Sequence, residues 1–163
     1  MADVPAEDFK GALGSWAAGV TVVTTKQDAL VYGITVSSFS SLSIDPLLVL
    51  VCLADSNRLP SMIEQSQRFA VSILAEGQDA ISAFFSKSGR EPVKAFEEFG
   101  TIEWKTGSPI IQGAVAHLDC EVEKLVHGGD HTIAIGRVVG AAFDATKMPL
   151  IYYRRGYRKL LMD

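Results

Sequence analysis

The sequence lacks several features that define large classes of protein. It has only two cysteines, Cys52 and Cys120, and both fall in apolar, strand-like segments, so a disulfide framework is poorly supported. No charged and apolar leader is recognisable at the N-terminus. The longest apolar run, residues 47–53, is far shorter than the ~20 residues that span a bilayer. We therefore expect a soluble protein of the reducing cytoplasm with no membrane partner.

The glycine motifs that bind phosphates are also missing. No strand is followed by G-x-G-x-x-G and a helix, and no Walker-type loop is present, which argues against a Rossmann or P-loop domain. The chain has 15 basic and 19 acidic residues, for a net charge of -4, and no basic stripe that would follow a nucleic-acid backbone. Nucleic acid is therefore not an expected partner.

What the sequence does contain is enough apolar material for one core. With 48% hydrophobic and 21% charged residues in 163, we expect a single domain spanning residues 1–163. β-Branched runs, period-two alternation and glycine turns predict strands over residues 19–25, 31–36, 47–53, 68–74, 116–126, 132–139 and 150–153. Helical spacing predicts helices over residues 9–18, 56–67 and 78–85. This pattern predicts a mainly β protein, a closed antiparallel barrel with two or three peripheral helices.

A run of hydroxyl side chains marks the first candidate site. Residues 33–43 read GITVSSFSSLS, without the proline, asparagine or lysine that a solvent-exposed loop usually carries. The run has two interpretations. Serine-rich turns commonly cap their own backbone. Alternatively, hydroxyls and freed N–H groups converge on the polar edge of a flat heterocycle whose face is covered by apolar side chains.

The segment SNRLPS, residues 56–61, leads from a predicted buried strand into a predicted helix. Hydroxyls and an arginine at a helix start are suited to an anion, although Ser56 could equally belong to a simple cap. Together with the hydroxyl run, this segment suggests a nucleotide-like cofactor.

The third cluster is HGGDH, from His127 to His131, at the turn of the long predicted hairpin. A metal site would need His117 and Cys120 as well, but the two turn histidines are not an i,i+4 helical pair and Cys120 shares an apolar face. We therefore predict no metal. Neither cysteine is in an electropositive, exposed setting that would make it a nucleophile.

Taken in order, these segments resemble the short-chain flavin reductase family, the reductase components of two-component flavin-dependent monooxygenases. The resemblance is carried by GVTVVTT, GITVSSFSSLSIDPLLVLVCL, FAVSIL, GDHT and PLIYYRRGY, and it runs from about Phe9 to Tyr157. It implies a split β-barrel of the FMN-binding type, a homodimer with the flavin near the subunit interface, and reduction of FMN or FAD by NADH or NADPH. One small departure is Asp45-Pro46-Leu47, where relatives commonly have a proline pair after the aspartate.

The resemblance also implies roles for individual residues. Thr35, Val36, Ser37 and Ser38 would meet the isoalloxazine edge, Ser40 and Ser41 the ribityl and phosphate region, and Cys52, Leu53 and Ala54 the ring. Ser56, Asn57 and Ser61 would bind phosphate, and the loop of residues 86–90, including Arg90, would touch the distal part of a flavin. Gly129, Asp130 and His131 would border the nicotinamide, with His131 as the catalytic residue that positions the donor.

Hydride transfer between two ring systems needs no protein nucleophile, so the absence of a triad or paired carboxylates is expected. The resemblance implies an NAD(P)H:flavin oxidoreductase that supplies diffusible reduced flavin to a partner monooxygenase. Two alternatives stay open. One is a non-catalytic flavin-binding or redox-sensing barrel, against which the GDHT motif argues, and the other is a structural dimerisation barrel that binds nothing.

Overall fold

A computed structural model of the chain describes residues 4–94 and 96–161. Three α-helices and one 3-10 turn accompany the strands: α1 Ala6–Gly14, α2 Leu59–Ser66, α3 Asp79–Phe85 and the turn Glu97–Phe99. The strands are β1 Ala18–Gly19, β2 Thr21–Gln27, β3 Leu30–Val36, β4 Phe39–Ile44, β5 Leu47–Ala54, β6 Arg68–Ile73, β7 Thr101–Glu103, β8 Pro109–Ile111, β9 Ala116–Gly128, β10 His131–Phe143, β11 Ile151–Tyr153 and β12 Gly156–Arg158. Within the described residues, no helix is long and apolar enough to cross a membrane.

Seven strands form the main sheet, in the order β3-β2-β6-β9-β10-β5-β4, and every pairing in it is antiparallel. A three-stranded sheet, β1-β11-β12, and the hairpin β7-β8 complete the architecture. The prediction of a mainly β, antiparallel protein with two or three helices is therefore confirmed.

Two predictions about individual strands are wrong. No strand was predicted in the second half of the serine-rich run, but residues 39–44 form the edge strand β4, which pairs with β5 from Phe39↔Val51 to Ile44↔Leu47. The segment 150–153 is not the last strand, because β12 folds back on β11 with Tyr152 opposite Tyr157. Periodicity could not detect β12, which is only three residues long.

The core has two parts. The first joins both ends of the main sheet, since Tyr32 and Ile34 of β3 share one apolar cluster with Val49 and Val51 of β5. The second lies around α3, where Phe85 shares an apolar cluster with buried side chains from several separate segments, among them Val22, Leu74 and Leu150. In β5 only one face is fully buried within a single chain, although an apolar run such as residues 47–53 is typical of a strand that is buried on both faces.

Asp119 is a polar residue that the alternation of β9 placed on the solvent side, yet it is fully buried. Its carboxylate accepts hydrogen bonds from the backbone N–H of Thr106 at 2.8 Å and from the Thr106 hydroxyl at 2.6 Å. The segment before β8 covers this face of β9, which is why the side chain does not reach water. The buried carboxylate thereby fixes the connection between β7 and β8.

We expect Asp119→Asn to lower the free energy of unfolding by about 1–2 kcal/mol, because the amide N–H₂ cannot accept both Thr106 hydrogen bonds. Urea denaturation measures the effect. Glu123→Gln is the matched control on the exposed side of the same strand and should change the free energy by less than about 0.5 kcal/mol. Equal stabilities of the two variants would contradict the role of Asp119.

Candidate active site

The candidate site is a cleft beside β3, between the turn after β5 and the loop after α3. Its larger part is a cavity of about 420 Å³. The walls come from these two segments and from β3 and α3, namely Tyr32, Ile34, Thr35, Ser56, Asn57, Arg58, Phe85, Ser86, Lys87, Ser88, Gly89, Arg90 and Glu91. The cleft therefore joins the predicted phosphate segment, the predicted distal loop and the start of the hydroxyl run.

A second cavity, of about 240 Å³, adjoins the first, and Thr35 and Ser86 line both. Its other lining residues come from the connection between β1 and β2, the end of β3, α3 and the C-terminal hairpin, namely Val20, Val36, Ser37, Ser82, Tyr152 and Tyr157. The two cavities together form an elongated cleft with an aromatic, hydroxyl-bearing end and a cationic end.

Hydrogen bonds fix the aromatic end. The Thr35 hydroxyl donates to the backbone oxygen of Ser82 at 2.8 Å, and the Tyr157 hydroxyl lies 2.9 Å from the Ser82 hydroxyl. The rings of Tyr152 and Tyr157 are T-shaped with centroids 5.5 Å apart. Because the Thr35 proton is used internally, the oxygen of this hydroxyl remains able to accept a hydrogen bond from a ligand.

Arg90 lies at the cationic end, but its side chain is committed to protein groups. Its guanidinium donates to the backbone oxygens of Gly33 at 2.5 Å and Phe85 at 3.2 Å, and its carbon lies 5.0–5.3 Å from the ring centroids of Tyr32, Phe84 and Phe85. Burial lowers the pKa of Arg90 from its usual value. Arg90 therefore anchors the loop of residues 86–91 against β3 and α3.

The remaining cations of the cleft are Arg58 and Lys87. Arg58 Nη2 lies 2.8 Å from Glu91 Oε1, and both side chains are more than half exposed. The sequence analysis counted Arg58 of the SNRLPS segment toward an anion site and included Lys87 in the distal loop, but it did not place the two in one cavity and did not identify Glu91. These three charged side chains share one cavity because the turn of residues 56–58 packs opposite the loop of residues 86–91, and the fold is needed to see this.

The serines of β4 and the end of β5 line neither cavity of the cleft. The Ser38 hydroxyl donates to the backbone oxygen of Cys52 at 2.7 Å, which ties the two strands together. The Leu53 side chain is fully buried, so this residue can contact a ligand only through its backbone. The other candidates outside both cavities are Ser40, Ser41, Ala54 and Ser61, and the Ser61 hydroxyl donates to the backbone oxygen of Arg58 at 2.9 Å.

The glycine turn with His131 is attached to the same end of β5. In the register of β10 and β5, His131 lies opposite Ala54, and the N–H of Asp55 donates to the backbone oxygen of Asp130 at 3.0 Å. Thr132 donates to the Asp55 carboxylate at 2.6 Å. The predicted nicotinamide motif, Gly129 to His131, therefore lies next to the turn that carries the phosphate candidates, without lining either cavity.

The imidazole of His131 is held by its neighbour in sequence. His131 Nδ1 lies 2.7 Å from Asp130 Oδ1, and the His131 side chain is 44% exposed. The hydrogen bond from His131 lowers the pKa of Asp130 from its usual value. An imidazole fixed by a carboxylate and open to solvent can orient an incoming ring without being part of the core.

Neither cysteine has the setting of a nucleophile. Cys120 is buried, and burial raises the pKa of its thiol to about 12, with Asp119 adding to the shift. Among the described residues, no three His, Cys, Asp or Glu side chains are placed to hold a metal ion. His117 instead lies 3.3 Å from the buried Ser72 hydroxyl through Nδ1, and its pKa is lowered by burial and by Lys147.

A larger cavity, of about 660 Å³, lies between the turn of residues 75–79 and the C-terminal segment, and it shares the wall residue Tyr157 with the smaller cavity of the cleft. It contains none of the residues predicted from the sequence. The cleft at Thr35 fits a flat ring with a phosphorylated tail better, because hydroxyl and aromatic groups lie at one end and cations at the other.

Comparison with known proteins agrees with this geometry. The family model described as flavin reductase like domain matches residues 13–161. The reductase subunit HsaB of a flavin-dependent monooxygenase from Rhodococcus jostii is 39% identical, over 95% of this chain and 78% of the relative. The reductase component of 4-hydroxyphenylacetate 3-monooxygenase from Thermus thermophilus is 37% identical, over 95% of this chain and 97% of the relative.

A solved structure is similar over the full length. The NADH:FAD oxidoreductase SgcE6 of Streptomyces globisporus, in complex with NAD and FAD fragments, superposes with a TM-score of 0.90 at 31% identity, covering 100% of this chain and 99% of that chain. The resemblance drawn from the sequence is therefore confirmed, and the chain belongs to the flavin reductase family.

Proposed function

We propose that the protein is an NAD(P)H:flavin oxidoreductase that reduces FMN or FAD and supplies the reduced flavin to a partner monooxygenase. The observation that carries the proposal is the pair of joined cavities, in which Thr35 and Ser86 are shared between a hydroxyl and aromatic end and a cationic end. The two curated relatives described above are reductase components of monooxygenases. The solved structure is named as an NADH:FAD oxidoreductase, which supports NADH as the donor.

In hydride transfer from a nicotinamide to a flavin, the role of this chain is to bind the two rings and to orient them. When bound, the flavin accepts a hydride from the nicotinamide and needs no protein nucleophile. Thr35, Val36, Ser37 and Ser38 line or adjoin the ring end. His131, held by Asp130, orients the donor, because rate depends on holding the two rings at near-attack distance, ~3–3.5 Å.

The phosphate end of the proposed site lies at the turn after β5. Ser56, Asn57 and Arg58 line the larger cavity, opposite the loop that Arg90 anchors. Ser40, Ser41 and Ser61 lie outside the two cavities of a single chain. Their predicted contact with the flavin therefore depends on how a second subunit extends the cleft.

We place a homodimer interface on the exposed apolar side chains of the N-terminal segment and of β4. No residue of α1 is buried, Phe9 and Leu13 of this helix are both exposed, and Trp16, which follows the helix, is 75% exposed. On β4, Ile44 is 82% exposed. A second copy that covers this surface would remove large apolar side chains from water and add walls to a cleft that is open in one chain.

The finer details of the architecture are part of the same proposal. A split barrel is supported by the shared core of β3 and β5, which lie towards opposite edges of the main sheet. A single domain is supported by the family match over residues 13–161. The free thiols of Cys52 and Cys120 are compatible with a reducing cytoplasm.

Flavin-dependent oxidation of NADH tests the activity and separates it from its alternatives. We expect consumption of NADH or NADPH to rise with added FMN or FAD and to saturate. Flavin binding without any nicotinamide oxidation would favour a flavin-binding or redox-sensing protein. No flavin binding in a titration would favour the structural barrel.

The ring end of the cleft is tested by Ser37→Val/Ser38→Val. The two valines add bulk where residue 37 lines the smaller cavity, and we expect the Kd for flavin to rise about threefold to tenfold. Both positions are exposed, and only the exposed hydrogen bond from Ser38 to the backbone oxygen of Cys52 is lost, so the melting temperature should change little. Fluorescence titration and thermal denaturation measure the two quantities.

The control Ser37→Ala/Ser38→Ala removes the hydroxyls without adding bulk and should weaken binding less. An unchanged Kd in the valine variant, at an unchanged melting temperature, would remove these residues from the ring site.

A further inference from the structure

One ion pair spans the cationic end of the cleft. Arg58 and Glu91 both line the cavity of about 420 Å³, with 2.8 Å between Arg58 Nη2 and Glu91 Oε1. Their side chains are 57% and 70% exposed, so the attraction is screened and contributes only a small stabilisation. An anion that enters the cavity therefore meets an arginine whose present partner is easily displaced.

The other cations of the cavity do not offer the same group. The guanidinium of Arg90 is occupied by the backbone oxygens of Gly33 and Phe85 and lies among aromatic rings. Lys87 is a point charge, whereas a guanidinium can present two parallel N–H groups to a phosphoryl group. Arg58 is therefore the side chain in this cavity best suited to recognise a phosphoryl group through two hydrogen bonds.

We propose that Glu91 competes with the flavin phosphoryl group for Arg58, so that Arg58 sets the preference for phosphorylated flavins and Glu91 limits their affinity. This inference rests on the proposed function and adds a determinant of flavin specificity to it. On binding, the phosphoryl oxygens replace the Glu91 carboxylate on the guanidinium, and on release the carboxylate returns. A built-in competitor of this kind suits an enzyme whose reduced product must leave.

Isothermal titration of the flavin-free protein with FMN and with riboflavin tests the competition, because the two probes share one ring and differ in the phosphate. For Glu91→Gln we expect the Kd for FMN to fall about two- to fivefold, as for release of an exposed ion pair, with the Kd for riboflavin unchanged. For Arg58→Gln the Kd for FMN should rise at least about tenfold, again without a change for riboflavin.

The double variant Arg58→Gln/Glu91→Gln shows whether the effect of Glu91 on the Kd for FMN depends on Arg58. With no guanidinium to compete for, the Glu91 substitution should have no effect on the Kd for FMN in the Arg58→Gln background. Arg58→Lys keeps the charge and loses the planar fork, so its Kd should be intermediate. Glu98→Gln is the matched control, because it removes a carboxylate from the neighbouring 3-10 turn, at an exposed residue with no contact to Arg58.

If Glu91→Gln still lowered the Kd for FMN in the Arg58→Gln background, or also lowered the Kd for riboflavin, the result would overturn the proposal in favour of a general charge effect. An unchanged Kd for FMN in Glu91→Gln would also overturn it. Equal wild-type affinity for FMN and riboflavin would contradict this inference alone. Failure of the wild-type protein to bind either flavin would instead contradict the proposed function.

Discussion

His131→Ala is expected to slow anaerobic flavin reduction by about ten- to a hundredfold, while the Kd for flavin stays nearly unchanged. The imidazole lies opposite Ala54 at the end of β5 and is held by Asp130 at 2.7 Å, so it is fixed beside the cleft. If it orients the nicotinamide, its loss loosens the alignment of the two rings and also raises the KM for the donor. Stopped-flow spectroscopy at several donor concentrations separates the two effects.

His127→Ala is the control for this prediction. His127 is exposed on the same hairpin, with Nδ1 3.2 Å from the Thr132 hydroxyl, and its removal should alter the reduction rate little. A reduction rate and donor KM in His131→Ala equal to those of the wild type would show that residues 128–131 serve only as a hairpin turn.

The dependence of this contact on pH follows from Asp130. Its pKa is lowered because it accepts a hydrogen bond from His131. The pKa of Asp130 is therefore lower in the folded protein than in the unfolded chain. Its carboxylate is fully ionised above the unfolded-state pKa, and the hydrogen bond from His131 is lost only as the pH falls through the lower, folded-state pKa. Protonation of Asp130 should therefore not change the reduction rate between neutral and mildly acidic pH, which a pH profile of Asp130→Asn against wild type can check.

Leu13→Glu/Trp16→Glu is expected to convert the proposed dimer into monomers and to raise the Kd for flavin about a hundredfold. Leu13 lies in α1 and Trp16 lies two residues beyond its end, and both are exposed apolar side chains, so two carboxylates there would be buried unpaired in the proposed interface. α1 is linked to the C-terminal hairpin of the ring end, since the N–H of Arg154 donates to the backbone oxygen of Gly14 at 3.2 Å. Sedimentation velocity and flavin titration measure the two outcomes.

Gly11→Glu is the matched control, because it adds a carboxylate to the same helix where an added Cβ would meet nothing within 4 Å. It should leave both the association state and the Kd unchanged. A wild-type monomer that binds flavin tightly would contradict the role of the interface.

The sequence predicted the long strands well because their patterns are strong. The β-branched run before the first turn and the alternation around Cys120 correspond to β2 and to β9, and burial of Cys120 agrees with its place on the apolar face. The edge strand β4 was missed because five serines among eleven residues have low strand propensity, and its strand character comes from pairing with β5. Asp119 was misplaced because local alternation cannot show that a distant segment covers the second face.

The candidate site could be predicted only in part. Thr35, Ser56 and Asn57, which line the larger cavity, could be named as candidates because hydroxyl and amide groups are grouped in short segments of the sequence. Tyr157 was missed as a wall of the cleft, although it belongs to the closing PLIYYRRGY segment, because its contact with Ser82 joins residues 75 positions apart. Arg58 was noted only as the arginine of the SNRLPS segment, and its ion pair with Glu91 was missed for the same reason, since the two residues are 33 positions apart.

The central claim is that this chain positions a nicotinamide against a flavin for hydride transfer, and anaerobic stopped-flow reduction with each nicotinamide tests it most directly. The account predicts that the visible flavin absorption band bleaches in a phase whose rate saturates with NADH or NADPH, far faster than in the same mixture without protein. Bleaching no faster than in the protein-free mixture, with flavin demonstrably bound, would contradict the account.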